Sequence, residues 1–247
     1  MNEVEPPSIQ HTDFQAGSTL LIDKPQGWTS FDVVNKVRHR LRKLTGIKRI
    51  KVGHAGTLDP LATGLLIICT GKFTKKLAEF QGWDKEYTGT FLLGGTTPSY
   101  DAETEVDQTF PYQHIDEAAL EAARQSFMGT IQQVPPMFSA IKVNGLPLYK
   151  KARKGETVEI KARTVHIHEF ELSNVQVPEV SFRLKCSKGT YVRSLAHDMG
   201  KAVDSGAYLT ALRRTEVGPY RIEQAWNLAE LIEALEARIE EKDRLVL

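Results

Sequence analysis

The sequence predicts a mixed α+β fold. Strand-like and helix-like segments are interspersed irregularly along its 247 residues, the apolar runs are short, and 41% hydrophobic content is ample for a core. Regular alternation would point to a parallel sheet with crossover helices, whereas this irregular order points to a mixed sheet flanked by helices. The longest apolar run, Leu65 to Cys69, is far short of the ~20 residues of a membrane span. Residues 1–17 are polar and proline-bearing, unlike a secretory signal, so a cytoplasmic location without membrane contact is expected.

The elements follow in order. Residues 1–17 read as a flexible leader. Thr19 to Asp23 has strand character, broken by the turn chemistry of Lys24-Pro25-Gln26-Gly27. Ser30 is expected to cap a helix whose apolar stripe is Phe31, Val34, Val37 and Leu41, with Arg38, Arg42 and Lys43 off it. Leu65 to Cys69 is a buried strand, Lys72 to Phe80 a helix and Tyr87 to Leu93 a strand. Gly94 to Gln108 is a polar loop, and Ile115 to Met128 a helix ended by Gly129. Residues 131–155 have the composition of a separate excursion, with Asn144-Gly145 as its hairpin signal. Two alternating strands lie within Thr164 to Lys185, a helix runs from Tyr191 to Val203, a strand from Tyr208 to Val217, and Ala225 to Arg244 closes as an acidic amphipathic helix. Cys69 and Cys186 sit in apolar or alternating contexts and read as reduced core thiols.

Net charge is +1, but it is unevenly spread. Residues 36–51 hold eight of the 32 Lys and Arg and none of the 31 Asp and Glu. Such a patch can be a solvated helix face, or it can draw a polyanion in a salt-sensitive way. It lies immediately before Gly53-His54-Ala55-Gly56-Thr57-Leu58-Asp59-Pro60-Leu61-Ala62-Thr63-Gly64. There Pro60 biases Asp59 away from helix, and the glycines permit turns and close approach of a bulky ligand. A carboxylate so placed can serve as base, metal ligand or nucleophile.

Three motifs in fixed order resolve that choice. The Asp59 segment, Leu21-Ile22-Asp23-Lys24-Pro25-Gln26-Gly27-Trp28-Thr29-Ser30 before it and Cys186-Ser187-Lys188-Gly189-Thr190-Tyr191-Val192-Arg193 after it resemble the catalytic domain of bacterial tRNA pseudouridine-55 synthases. With the alignable stretches between them, the likeness covers roughly residues 18–222. It implies a pseudouridine-synthase fold over residues 18–247, with a largely antiparallel sheet and residues 131–155 as the thumb that grips an RNA loop. It implies the isomerisation of uridine to pseudouridine at position 55 of the tRNA T-arm, with Asp59 as nucleophile. Attack at the sugar C1′, attack at the base C6 and assistance of a glycal route all remain open. The resemblance further makes Arg193 the partner of Asp59 and Tyr87 the residue that stacks on the base and is a candidate for removing its C5 proton. It makes Tyr191 and Leu212 pocket walls, His54 the filler of the vacated stack, and Lys24 a support of the loop.

For RNA contacts, Arg42, Lys43 and Lys48 of the patch and Lys142, Lys150, Lys151, Arg153 and Lys154 of the thumb can meet phosphates. Phe138 and Tyr149 offer stacking faces to unpaired nucleotides or pack the thumb onto the body. Phe138 stands where the family usually has Tyr. Thr97-Pro98-Ser99-Tyr100-Asp101 replaces a loop that is more acidic and threonine-rich in many relatives, and carries no functional expectation. Many relatives continue into a small C-terminal RNA-binding domain. This chain ends at Leu247, so that domain is expected to be absent and the T-arm to be the main recognition surface.

Other chemistries have weak support. Gly71-Lys72 lacks the upstream glycine and following hydroxyl of a phosphate loop, and His166-x-His168 has no further ligands at metal spacing. No cofactor and no metal are expected, and tRNA is the expected partner of a monomer without an obligatory protein partner. Two other readings keep the scaffold: a pseudouridine synthase for a different RNA, and a non-catalytic RNA-binding or RNA-folding protein, which intact Asp59, Tyr87 and Arg193 argue against.

Overall fold

The computed structural model describes residues 8–143, 145–156 and 158–245. Its strands are β1 (Thr19–Lys24), β2 (Val52–Ala55), β3 (Thr63–Thr70), β4 (Lys85–Leu93), β5 (Gly95–Thr96), β6 (Gln108–Thr109), β7 (Gly129–Gln133), β8 (Lys142–Val143), β9 (Leu146–Pro147), β10 (Arg163–Gln176), β11 (Glu179–Cys186), β12 (Ala207–Val217), β13 (Tyr220–Arg221) and β14 (Trp226–Asn227). The helices are α1 (Ser30–Thr45), α2 (Leu77–Gly82), α3 (Glu117–Ser126), α4 (Leu148–Ala152), α5 (Val192–Ala202) and α6 (Leu228–Leu245). Contacts divide the chain into a first unit, residues 1–85 with 213–247, and a second unit, residues 86–212. The expected α+β class, with a mixed and mostly antiparallel sheet flanked by helices, is what forms.

In the first unit the strand order is β14-β1-β3-β12, with β2 beside β3 and β13 beside β12. β1 and β3 are antiparallel from Thr19 opposite Cys69 to Lys24 opposite Gly64. β3 reads as an unbroken apolar run because both its faces are covered. Leu66 and Ile68 join Val33, Val34, Val37 and Leu41 of α1 and Leu231, Ile232 and Leu235 of α6, while Leu65, Ile67 and Cys69 join Phe80 and Val217 on the other side.

Four expectations are corrected here. Thr29 rather than Ser30 caps α1: its hydroxyl accepts from Asp32 N at 3.1 Å while the Asp32 carboxylate accepts from Thr29 N at 2.9 Å, a reciprocal box. Phe31 is 61% exposed, and Val33 and Leu44 take the place it was given on the buried stripe. The leader is not flexible over residues 8–17, since Ile9 and Phe14 are buried in the core against α1 and α6; residues 1–7 lie outside the described residues. The helix expected from Lys72 to Phe80 divides into a 3-10 turn over Gly71–Lys76 and then α2.

The second unit has the order β12-β4-β11-β10-β7, residues 207–212 of β12 belonging to it. β10 and β11 form a long antiparallel hairpin, and α3, capped by Asp116, packs on β10 and α5. Phe182 sits 6.0 Å from both Phe91 and Phe170, ring to ring, at the centre of the apolar layer. Of the polar loop Gly94 to Gln108, residues 94–101 are mostly buried or half-buried, whereas 102–108 are mostly exposed. β5 pairs with β6 within it, Asp101 bridges to Leu209, and the Thr97 hydroxyl binds Asp101 O at 2.7 Å. Polar side chains that close on their own backbone can be buried at little cost. Residues 131–133 belong to β7, so the thumb begins after Gln133; Asn144 of its hairpin signal lies outside the described residues.

On the first part of this loop Tyr100 stacks on His197 of α5, with ring centroids 3.8 Å apart and planes 8° apart. Burial pushes the His197 imidazole down to about 4, with Lys201 adding to the shift and Asp107 opposing it. An unfolded histidine takes its proton near ~6.5, so the unfolded chain binds more protons than the folded one between about 6.5 and 4, and stability falls as pH falls through that window. Burial raises the carboxyl of neighbouring Asp198, an effect of opposite sign that a substitution at 197 leaves in place. The unfolding free energy of His197→Gln should therefore decline less steeply than that of the parent in urea titrations between pH 6.5 and 4. Parallel declines would show that the imidazole is not held neutral.

Candidate active site

In the first unit, Asp59 lies half-buried in the loop between β2 and β3, where its backbone carbonyl accepts from Ala62 N at 3.1 Å. Ser30, 28 residues before Leu58, fixes that residue from both sides: its hydroxyl accepts from Leu58 N at 2.8 Å and donates to Leu58 O at 3.1 Å. The residue after Asp59 is gripped by Gly27, whose N–H donates to Pro60 O at 2.8 Å. Lys24 shapes that turn. Fully buried, its ammonium donates to Pro25 O at 2.9 Å and Trp28 O at 2.6 Å. His54 on β2 is held neutral, its pKa lowered first by burial and then by the guanidinium of Arg214, against a backbone hydrogen bond at Gly56.

In the second unit, Arg193 opens α5 with 5% of its surface exposed. Its Nη1 donates to Ser99 O and its Nη2 to Phe138 O, both at 2.8 Å, and its Nε lies 3.5 Å from Asp101 Oδ2. Asp101 is itself 1% exposed and takes hydrogen bonds from the Ser99 hydroxyl and Glu103 N. Tyr191, at the N-cap, is held by the buried amide of Gln133, which accepts from Tyr191 N at 2.8 Å and donates to Tyr191 O at 3.1 Å. The Arg163 guanidinium lies 5.5 Å from the Tyr191 ring, and Tyr87 and Leu212 are buried at 8% and 9% exposure. Lys24, His54 and Asp59 thus belong to one unit and Tyr87, Tyr191, Arg193 and Leu212 to the other.

The basic residues separate by task. In the patch, Arg38 donates to Val52 O at 2.8 Å and Arg40 pairs with Glu236 at 2.5 Å, so both serve the fold. Arg42, Lys43 and Lys48 are exposed, as are Arg49 and Lys51. Arg38, Arg42, Arg49 and Lys51 line a groove of about 430 Å³ that ends at Gly53, beside His54; Lys43 and Lys48 do not line it. In the thumb Lys142, Lys150, Arg153 and Lys154 are exposed and Lys151 is half-buried. Phe138 is half-buried and reaches Arg193 through its carbonyl, while Tyr149 has the Arg153 guanidinium 5.8 Å from its ring. His166 and His168 lie ring to ring at 4.7 Å, with the Thr130 hydroxyl 3.0 Å from His166 Nδ1. Among the described residues no three His, Cys, Asp or Glu side chains are grouped as a metal site requires.

A family model described as TruB family pseudouridylate synthase (N terminal domain) matches residues 42–192. The chain belongs to that family. A second TruB model, the tRNA pseudouridylate synthase B C-terminal domain, matches residues 193–247. The region so matched includes α5, β12 and α6 and lies within the span read from sequence as the catalytic domain. The proteins named tRNA pseudouridine synthase B of Flavobacterium johnsoniae and Phocaeicola vulgatus are 56% and 54% identical over 91% of this chain and 98% and 95% of theirs. That of Thermobifida fusca is 49% identical over 87% of this chain and 74% of its own. Among solved structures, a chain of a Cbf5-Nop10-Gar1 complex matches with a TM-score of 0.67 and 29% identity, over 89% of this chain and 54% of that one. A chain of an archaeal box H/ACA sRNP Nop10-Cbf5 complex matches with a TM-score of 0.65 and 26% identity, over 93% and 57%. This chain thus spans a little over half the length of those two.

Ser30, Asp101, Gln133 and Arg214 were missing from the TruB site residues read from sequence. Ser30 follows a second hydroxyl residue three positions before Asp32, so the Thr29-x-x-Asp32 box could have released Ser30 for another task. Replacing Ser30 by Ala leaves the buried N–H of Leu58 unpaired, so Ser30→Ala is expected to cost about 1–3 kcal/mol in urea unfolding. A change within about 0.5 kcal/mol would mean that the loop is held by its other contacts.

Proposed function

We propose that the protein converts uridine 55 in the T-arm loop of tRNA to pseudouridine, with Asp59 as nucleophile. Membership of the TruB family supports the reaction and its tRNA substrate. The observation that carries the site assignment is the construction of the Asp59 loop, where Ser30 fixes Leu58 and Gly27 fixes Pro60 on either side of one carboxylate. Fixing a nucleophile before the substrate arrives removes orientational entropy from the barrier.

The reaction breaks the bond between C1′ and N1, turns the base, and joins C1′ to C5. The C5 proton is lost and N1 gains one, so no redox partner or energy source is consumed. In this reading Arg193 keeps Asp59 charged and oriented, while Asp101, Ser99 and Phe138 hold Arg193 in turn. Tyr87 stacks on the base and is the candidate for removing its C5 proton, and Tyr191 and Leu212 complete the pocket. A stacked uridine must be turned out of the RNA to reach such a pocket, and a neutral His54 is suited to fill the space it leaves. The exposed cations of the patch and thumb hold the phosphates. The reading takes the protein as a cytoplasmic monomer; no helix among the described residues is long and apolar enough to cross a membrane.

Asp59→Asn, nearly isosteric but a poor nucleophile, should bind T-arm RNA as the parent does and release no tritium from C5-labelled uridine in a single turnover. Substantial residual release would remove Asp59 from that role. Neutralising Arg42, Lys43 and Lys48 together should flatten the slope of log K against log salt by roughly two units, at about 0.7–0.9 per phosphate contact. The single-turnover rate of bound RNA should change little. An unaltered slope would move recognition elsewhere.

A further inference from the structure

Among the described residues Arg214 is the largest fully buried side chain, with 1% of its surface exposed, and the sequence reading gave it no role. Along β12, Arg213 and Arg214 face opposite ways, as successive strand residues must. Arg213 makes a two-pronged pair with Asp23 at 3.0 and 2.6 Å. Arg214 turns inward, its Nε donating to Leu65 O at 2.7 Å and its Nη2 to Gly56 O at 3.1 Å. Those carbonyls stand on the two sides of the loop that carries Asp59. Among the described residues no carboxylate pairs with Arg214.

The backbone around Arg214 is equally committed. It pairs with Gly64, whose φ is +102° and where an added Cβ would stand 2.3 Å from Arg214 O. Gly56 has φ +84°, and a Cβ there would meet Arg214 Nη1 at 3.4 Å. Two glycines therefore bring the loop's ends onto one side chain. A guanidinium suits the task because its planar fork donates in fixed, divergent directions. A buried cation satisfied by carbonyls alone is costly to desolvate, and a nearby negative charge offsets that cost.

We propose that Arg214 is a positioning residue for Asp59: it ties both ends of the loop with one guanidinium and places a fixed positive charge at its base. The proposal rests on the reading of Asp59 as nucleophile. The reach of this charge is visible at His54, where it is the charged side chain that lowers the pKa, in addition to burial and against the Gly56 backbone hydrogen bond.

The test uses Arg214→Gln and Arg214→Lys in the full chain, with Asp59→Asn beside them. T-arm RNA is the substrate, and kcat and KM are measured separately. Arg214→Gln should keep KM within about threefold of the parent and lose about a hundredfold in kcat, the scale of an ångström-sized misplacement. Arg214→Lys keeps the charge without the fork and should recover part of that loss. A second readout needs no turnover: in NMR titrations the His54 pKa should rise towards its ordinary value in Arg214→Gln and stay depressed in Arg214→Lys. Should Arg214→Gln fail to fold, Arg214→Lys carries the test, with kcat down about tenfold and KM unchanged expected. Parental kcat in either folded variant, or a loss confined to KM, overturns the proposal. An active Asp59→Asn would instead overturn the nucleophile assignment on which it rests.

Discussion

The parallel pairing of Arg213 and Arg214 with Thr63 and Gly64 is the constraint on which the first unit depends. It fixes where β3 begins, and therefore how much chain is left for the Asp59 loop. It also sets which of the two arginines faces the loop and which faces Asp23. Register in a sheet flips side-chain faces with every residue of slip, so a one-residue shift here would exchange the two roles at once. The both-sided burial of Leu65 to Cys69 opposes that shift, because slipping β3 would pull apolar side chains out of two packed layers.

Buried cations in this protein repeatedly end on backbone carbonyls. Lys24 binds Pro25 O and Trp28 O, Lys85 binds Gln81 O and Trp83 O, Arg193 binds Ser99 O and Phe138 O, and Arg214 binds Leu65 O and Gly56 O. Most of these carbonyls lie in turns or near the ends of elements, where helix and ladder leave acceptors unused. Such segments are ordinarily exposed because water satisfies them. Long side chains with several donors permit them to be buried and to hold one conformation, which a pocket built on loops requires.

What could be read from sequence divides by the range of the interaction. The strands from Leu65, Tyr87, Thr164 and Tyr208 were legible because period and burial act over neighbouring residues, and the structure only lengthens them. The Asp59 segment was legible because its glycines and Pro60 are contiguous with the carboxylate. Ile9 and Phe14 were not, since two isolated apolar residues in a polar leader have no periodicity, and only the core formed by α1 and α6 gives them a place. Ser30 was read as a cap because its actual partner, Leu58, lies on another loop. Asp101 looked like one more polar loop residue until folding set it against Arg193, for which no local pattern exists.

The amide of Gln133 pairs with Tyr191 as a nucleobase pairs with its partner, one donor and one acceptor on each side. Five residues on, the Phe138 carbonyl meets Arg193, and between them Val134 O accepts from the Ser194 hydroxyl at 2.8 Å. The segment from 133 to 138 is thus fastened to the start of α5 at three points and behaves as a ruler of fixed length. A change in the length of the hairpin beyond Phe138 leaves these three fastenings in place, but an insertion or deletion between Gln133 and Phe138 would break the alignment of Tyr191 with Arg193.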